Sequence, residues 1–331
     1  MKKRQNIFRI AAFFAGLFLL SSCFKEDEKM PPLPLETITT PVGNLYETQV
    51  FFDLNTFESR SSNLIDTWDL AFDCSDSSWT VKLNSALMMY AGNAQTTNFE
   101  SVITADGLAM SFDASSGNND STAIGTWIEK VGGTMQSKKQ VYVIDRGLDS
   151  QFHPQGFKKI ILDWVDNKYQ ITWANLDGSG EQTVTLEKNP MFNFMFLSFD
   201  DGIVSVEPEK QDWSLKFSRY STVLFTDVGD PYDYNLVGVL SNPYQVTVAE
   251  TADNFESISI ADTSKYIFST QADIIGYDWK LYDFDGGNYT IVADKNYVIK
   301  NNDGFFYKLQ FISFYDNQGN KGAMTYYVKR L

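Results

Sequence analysis

Histidine and cysteine are nearly absent from this sequence: His153 is the sole imidazole, and Cys23 and Cys74 are the only thiols. That removes whole classes of chemistry. A zinc site takes three or four nitrogen or thiolate ligands, which one His and one or two Cys do not supply. A Ser–His–Asp arrangement would have to use His153, which stands beside Pro154 in a polar connection, and no Gly-x-Ser-x-Gly elbow accompanies it. Cys23 and Cys74 give no disulfide framework. There is no phosphate-cradling glycine loop of the Walker type, and Asp177-Gly178-Ser179-Gly180 reads as a turn. Positive charge is also short. The 27 Lys and Arg face 42 Asp and Glu, a formal charge of −15, which repels nucleic-acid phosphates with no basic patch to offset it. Among so many acids, pairs such as Asp200/Asp201 and Asp283/Asp285 arise by chance on turns and do not make a glycosidase. Asp283-Phe284-Asp285-Gly286 resembles a fragment of a calcium loop but lacks the remaining oxygen ligands and the closing Glu. The chain reads as a protein without catalytic machinery.

What is present begins with a processing signal over residues 1–22. Lys2, Lys3 and Arg4 precede an apolar run, Ile10 to Leu20, well short of the ~20 residues that span a bilayer as a helix. Leu20-Ser21-Ser22-Cys23 resembles a bacterial lipobox, in which the cysteine receives the lipid and becomes the new N-terminus. Phe24-Lys25-Glu26-Asp27-Glu28-Lys29 resembles the surface-export signal of Bacteroidetes lipoproteins, and Met30-Pro31-Pro32-Leu33-Pro34 follows as a stiff, extended segment. Residues 23–45 are therefore expected to be a lipidated N-terminus and tether. With Cys23 acylated, Cys74 is left alone at a strand end, a small half-buried side chain.

The rest is written twice. Trp68-Asp69-Leu70-Ala71-Phe72 returns 145 residues later as Trp213-Ser214-Leu215-Lys216-Phe217, and each alternates with the period of a half-buried strand. Phe51 and Leu54 precede the first as Phe196 and Phe199 precede the second. Asn98-Phe99-Glu100-Ser101 recurs at Asn254, Ile124-Gly125-Thr126-Trp127 at Ile275, and Tyr142-Val143-Ile144 at Tyr297. Lys158 to Asn167 matches Lys308 to Asn317, and the offsets drift only between 145 and 156. No long stretch carries helical spacing, and Gly, Asn and Asp clusters punctuate the chain every 8 to 15 residues, the rhythm of antiparallel sheets. Strands are expected over 49–54, 68–72, 79–83, 160–165 and 169–173, with 86–90 a more ambiguous one. In 305–315 the apolar face slips from Phe311 to Ile312, which predicts a β-bulge. Phe192 to Phe199 is apolar on both faces, as for a strand buried on both sides. The expectation is an all-β protein of two tandem antiparallel domains, 46–187 and 188–331.

Taken together, these features resemble the HmuY family, haem-binding surface lipoproteins of Bacteroidetes. The resemblance rests on the lipobox and the W-x-L-x-F strand. It rests also on a Trp opening a later strand (Gly125-Thr126-Trp127-Ile128, Asp278-Trp279-Lys280-Leu281) and on the terminal hairpin from Tyr307 to Tyr326. It implies an all-β fold and a haem held by two axial side chains. The founding pattern uses two histidines, one a few residues after the strand Trp, where this chain has Val131-Gly132-Gly133 and Asp283-Phe284-Asp285. Bis-histidine ligation within one chain is thus excluded. Related members use methionine, and thioether ligation of haem iron is chemically sound. Met110 and Met135 flank Trp127 and are the candidates here, although methionine is commonly core filler. Trp127 and Trp279 are candidate platforms for stacking a ligand. The resemblance implies a non-enzymatic, lipid-anchored protein of the outer membrane that captures haem or another hydrophobic nutrient for a nearby transporter. A structural or adhesive lipoprotein binding glycan or protein through exposed aromatics is the alternative.

Overall fold

The computed structural model describes residues 34–331, which form one compact unit; the signal, Cys23 and most of the expected tether lie outside the described residues. The strands, numbered in chain order, build four main antiparallel sheets and two small hairpins. One outer sheet runs β12 (Gln182–Leu186), β11 (Lys168–Ala174), β10 (Phe157–Val165), β9 (Val141–Asp145), β6 (Tyr90–Asn93). The inner sheet beside it runs β14 (Gly202–Val204), β13 (Phe194–Ser198), β4 (Leu70–Asp73), β5 (Val81–Leu83). The other outer sheet runs β1 (Glu36–Pro41), β22 (Lys321–Arg330), β21 (Phe306–Tyr315), β20 (Asn296–Lys300), β17 (Thr247–Thr251). Its inner sheet runs β3 (Glu58–Leu64), β2 (Thr48–Asp53), β15 (Leu215–Phe225), β16 (Pro231–Ser241). The hairpins are β7 (Ile128–Val131) with β8 (Thr134–Ser137), and β18 (Lys280–Asp283) with β19 (Asn288–Ile291). Among the described residues no helix is long and apolar enough to cross a membrane.

Each outer sheet packs on its inner sheet over a separate apolar core. Leu70 and Phe72 of β4 meet Tyr142, Ile160 and Ile171 in one. Leu215 and Phe217 of β15 meet Tyr297, Leu309 and Tyr326 in the other. Strand alternation sends the neighbouring side chains the other way. Ala71 and Phe196 from one inner sheet, and Phe51 from the other, join Trp68 and Trp213 in a third, central cluster. Trp68 meets Phe196 edge-to-face at 5.0 Å and Trp213 meets Phe51 the same way at 5.0 Å. The W-x-L-x-F repeat therefore supplies two sandwich cores and the seam between them.

The sandwiches do not coincide with the halves of the sequence. β1 pairs with β22 and β2 with β15, so the first three strands complete the sandwich built from the second half. Likewise β13, from the second half, pairs with β4 of the first. The boundary expected between residues 187 and 188 falls between β12 and β13, and hydrogen-bonded ladders cross it in both directions. β13 is the apolar 192–199 stretch: Leu197 faces a core and Phe196 the seam, so both faces are covered.

Local matches between the repeats have local reasons. The two Asn-Phe-Glu-Ser segments are 3₁₀ turns, Phe99–Ser101 and Phe255–Ser257, each capped by its Asn side chain. A buried lysine holds each: Lys159 Nζ donates to Phe99 O and Val102 O at 3.0 and 3.1 Å, and Lys308 Nζ to Phe255 O and Ile258 O at 2.7 and 3.2 Å. Lys159, not Lys158, is thus the counterpart of Lys308, and the register shift after Phe311 makes up the one-residue difference. That shift is the expected bulge. The ambiguous 86–90 segment is not a strand. Asn84 accepts from Ala86 N to cap a 3₁₀ turn at Ser85–Leu87, and Met88 closes it in the left-handed region at φ 59°, so extension begins only at Tyr90. Gly132 and Gly133, at φ 58° and 89°, make the tight turn that joins β7 to β8 and sets Met135 on the return strand.

Candidate functional site

The seam is not filled. Between the two inner sheets lies a cavity of about 150 Å³. Its walls are seam-facing residues of the inner-sheet strands: Ala71, Lys82, Phe194 and Phe196 from one sheet, and Gln49, Phe51, Lys216 and Leu240 from the other. A solvent-open vestibule of about 650 Å³ shares Lys82, Gly117, Phe194 and Pro243 with it and adds Asp73, Lys210 and Tyr244. Two acids border the cavity. Asp113 accepts from Leu83 N and Ala123 N at 2.8 Å each, and burial pushes its carboxyl up to about 6. Glu207 accepts from Asn193 N and Phe194 N through Oε1 at 2.7 and 2.8 Å, and burial pushes it up to about 7. Two bases face them. Lys82 Nζ donates to Gly117 O at 2.9 Å and is held below its ordinary value by burial. Burial brings Lys216 down to about 8. The indole N–H groups of Trp68 and Trp213 are buried without a hydrogen-bond partner and pack against phenyl rings.

Glu207 makes the seam pH-sensitive. Its folded-state pKa lies above the ordinary 4.5, so the folded protein binds the proton more tightly than the unfolded chain between those values. Stability is then fully present below about pH 4.5 and falls as pH rises towards 7, by on the order of 3 kcal/mol. Glu207→Gln keeps an acceptor for the two amides and should flatten that segment of a urea-denaturation stability profile. An unchanged slope in the variant would assign the pH dependence to other groups.

The residues singled out from sequence lie elsewhere. Met135 is half-buried in an open cleft of about 690 Å³ with Trp79, Trp164, Lys188 and the carboxylate-bearing Asp76, Asp166 and Glu187. Trp79 and Trp164 meet edge-to-face at 5.9 Å, and Lys188 Nζ sits 4.9 and 5.6 Å from their ring centres while donating to Ser75 O and Ser78 O. Met110 lines a different cleft, of about 530 Å³, with Phe112, Val223 and Asp233. Its sulfur covers Gly92, where a Cβ would stand 2.5 Å from Sδ. The two methionines share no cleft. Trp127 and Trp279 are not platforms. Trp127 is 2% exposed with Nε1 donating to Trp79 O, and Trp279 is fully buried, stacked on Phe311 at 3.9 Å. Each fills the apolar core of its own sandwich. Cys74 is buried, more so than a strand end suggested, and burial pushes its thiol up. His153 is an exposed loop residue 3.1 Å from Asp149. Among the described residues no three His, Cys, Asp or Glu group as a metal site. Sequence reasoning missed Lys82, Lys216, Glu207 and Lys188. The one available signal was Lys216 inside W-S-L-K-F, a lysine on a strand face that read as solvent.

A family model described as HmuY protein matches residues 45–328. No curated protein matches the sequence. Solved structures that align include apo PinO from Porphyromonas gingivitis, at 9% identity over 90% of this chain and 98% of that one, TM-score 0.30. The apo HmuY analog of Tannerella forsythia aligns at 9% over 92% and 98%, TM-score 0.26. A candidate HmuY-like haem-binding protein from Bacteroides vulgatus ATCC 8482 aligns at 12% over 89% and 90%, TM-score 0.24. Scores that low transfer neither fold nor site, so kinship rests on the sequence-model match.

Proposed function

The chain belongs to the HmuY family, and from that premise we propose that it is a non-catalytic capture protein, anchored in the outer membrane through acylated Cys23 and displayed at the cell surface, that takes up haem or a similarly flat hydrophobic ligand for a transporter. The observation that carries this reading is the Met135 cleft. It puts a thioether beside two indoles and one lysine on the strand that returns from the Trp127 hairpin, just beyond Val131-Gly132-Gly133, the stretch at which the family pattern has a ligand. Met135 is favoured over Met110, whose sulfur lies against the β6 backbone in a cleft lined by Asp233 and by no basic side chain. The three carboxylates at the Met135 rim oppose the propionates, and a single thioether ligates ferric iron poorly, so binding is weak. A haemin titration tests it. A Soret shift is expected, stronger after dithionite, kept in Met110→Ala and lost in Met135→Ala; no shift in either redox state removes haem. Anchoring has its own test. Cys23→Ala should release the protein from the membrane fraction, and a variant that stays there would refute lipidation.

The adhesive alternative has its own support. Phe225, Tyr232 and Tyr234 on the β15–β16 hairpin and Tyr282 and Phe284 on the β18–β19 hairpin are exposed, Phe284 at 88%. Glycan or protein binding without a Soret band would move the function to those hairpins.

A further inference from the structure

The cavity between the inner sheets lies apart from the Met135 cleft. Lys216 lies between Leu215 and Phe217, both fully buried in a sandwich core, so alternation turns its side chain into the seam. There, among the described residues, its ammonium makes no hydrogen bond and no ion pair within 4 Å. The nearest acid in its field, Glu207, already holds two backbone amides. A cation drawn even partly out of water without a partner costs stability, and at the equivalent position of the repeat the fold does without it. β4 and β15 are repeat counterparts, so Ala71 occupies the position of Lys216. β5 and β16 are counterparts too, so Leu240 occupies the position of Lys82. At each of the two pairs of equivalent positions one copy of the repeat has a small or apolar residue and the other a lysine, so each inner sheet brings one lysine to the seam. Around these cations the wall is aromatic: Phe51, Phe196 and Trp213. The cavity volume of about 150 Å³ is of the order that accepts a single benzene-sized body. Access runs through the vestibule, where Lys82 and Lys210 stand on an otherwise acidic protein and only Asp73 opposes them.

We propose that this cavity binds a small organic monoanion, a carboxylate on Lys216 with a compact aromatic or branched aliphatic body among Phe51, Phe196 and Trp213. The ligand's charge replaces the counterion that Lys216 lacks, and its body fills space that the repeat leaves open. The haem reading is not a premise, since the cavity shares no residue with the Met135 cleft.

Benzoate is the probe, with benzamide as its uncharged isostere, titrated into the full chain by calorimetry and followed by thermal shift. Benzoate should bind and raise the melting temperature, with benzamide at least tenfold weaker. Lys216→Met removes the cation at similar volume. It should melt no lower than wild type without ligand and lose the preference for benzoate. Ala71→Phe, which fills the cavity from the opposite sheet, should abolish binding of both probes even if Lys216→Met folds poorly. Haemin spectra should be the same in all three proteins, so failure of this site and failure of the haem site read out separately. Equal binding of benzoate and benzamide, benzoate binding unchanged in both variants, or no benzoate binding to wild type would overturn the proposal.

Discussion

Expressed alone, residues 188–331 should fail to fold, and so should residues 34–187. The first fragment lacks β1, which covers the edge of β22, and β2, which pairs with β15 through Leu215, Lys216 and Phe217. It carries instead β13 and β14, whose partner β4 is in the other fragment. Each piece would expose an inner-sheet edge and half a core, the condition for aggregation rather than marginal stability. Both sandwiches should nonetheless be separable by another cut. Glu36 stands opposite Val328, so the C-terminal end of β22 lies beside the start of β1. The first sandwich shows how to join them, because Asn175 to Glu181 links β11 to β12 at the equivalent place. A chain running 205–331, then that seven-residue loop, then 36–68 contains all nine strands of the second pair of sheets. It should give a cooperative urea transition and a β-type circular-dichroism spectrum, whereas 188–331 should give neither. A soluble, cooperatively unfolding 188–331 fragment would show that the crossing ladders are dispensable and that the sequence halves are the folding units.

The strand exchange explains what the sequence could and could not reveal. Period-two alternation is local, so Trp68–Phe72, Trp213–Phe217, Tyr142–Ile144 and Tyr297–Ile299 are legible as strands, and the slip at Phe311 as a bulge. Which strand pairs with which is not local. β2 joins β15 across more than 160 residues of chain, and nothing in either segment names the other. The consequence reaches the site. In a single sandwich the Lys82 and Lys216 faces would be wet, the ordinary reading of a polar alternation; only the second inner sheet, brought by the exchange, encloses them. Trp127 and Trp279 failed for the opposite reason. Their recurrence at matching places marked a shared role, and a repeated aromatic serves a repeated core more readily than a ligand. Met135 could be named only as a methionine flanking Trp127; that Gly132-Gly133 turns the chain tightly and puts it on the return strand β8 emerges only in the fold.

Arg146→Met should cost about 3–5 kcal/mol of folding stability, because it leaves a buried carboxylate with no cation. Arg146 Nε donates to Asp69 Oδ1 at 2.8 Å and Nη2 to Asp69 Oδ2 at 3.1 Å, while Nη2 also reaches Asp200 Oδ2 at 2.7 Å. Asp69 is 1% exposed, and its Oδ2 also accepts from Phe199 N at 2.7 Å, tying the Trp68 strand to β13. The other sandwich solves the same junction without a buried ion pair, the Asn55 side chain reaching only the exposed carboxylate of Asp303. There Asn301, Ser214 and Asn55 stand for Arg146, Asp69 and Asp200: Asn301 Nδ2 donates to Asn55 Oδ1 at 2.8 Å, and Ser214 Oγ accepts from Leu54 N at 3.4 Å. The triple variant Asp69→Ser, Arg146→Asn, Asp200→Asn should therefore stay within about 2 kcal/mol of wild type, since replacing a whole buried ionic group is far milder than removing one member. pH separates the two mechanisms. Burial already pushes the Asp69 carboxyl up even with Arg146 present. Without the guanidinium it rises further, so folded Arg146→Met takes up a proton that the unfolded chain still lacks. Its deficit should shrink as pH falls towards 4, and the triple variant, with no acid left at the junction, should show no such recovery. Urea denaturation of the three proteins at pH 4.5 and 7 decides it. A triple variant as unstable as Arg146→Met at both values would mean that the ionic group is required by its surroundings and that the neutral junction works only in its own sandwich.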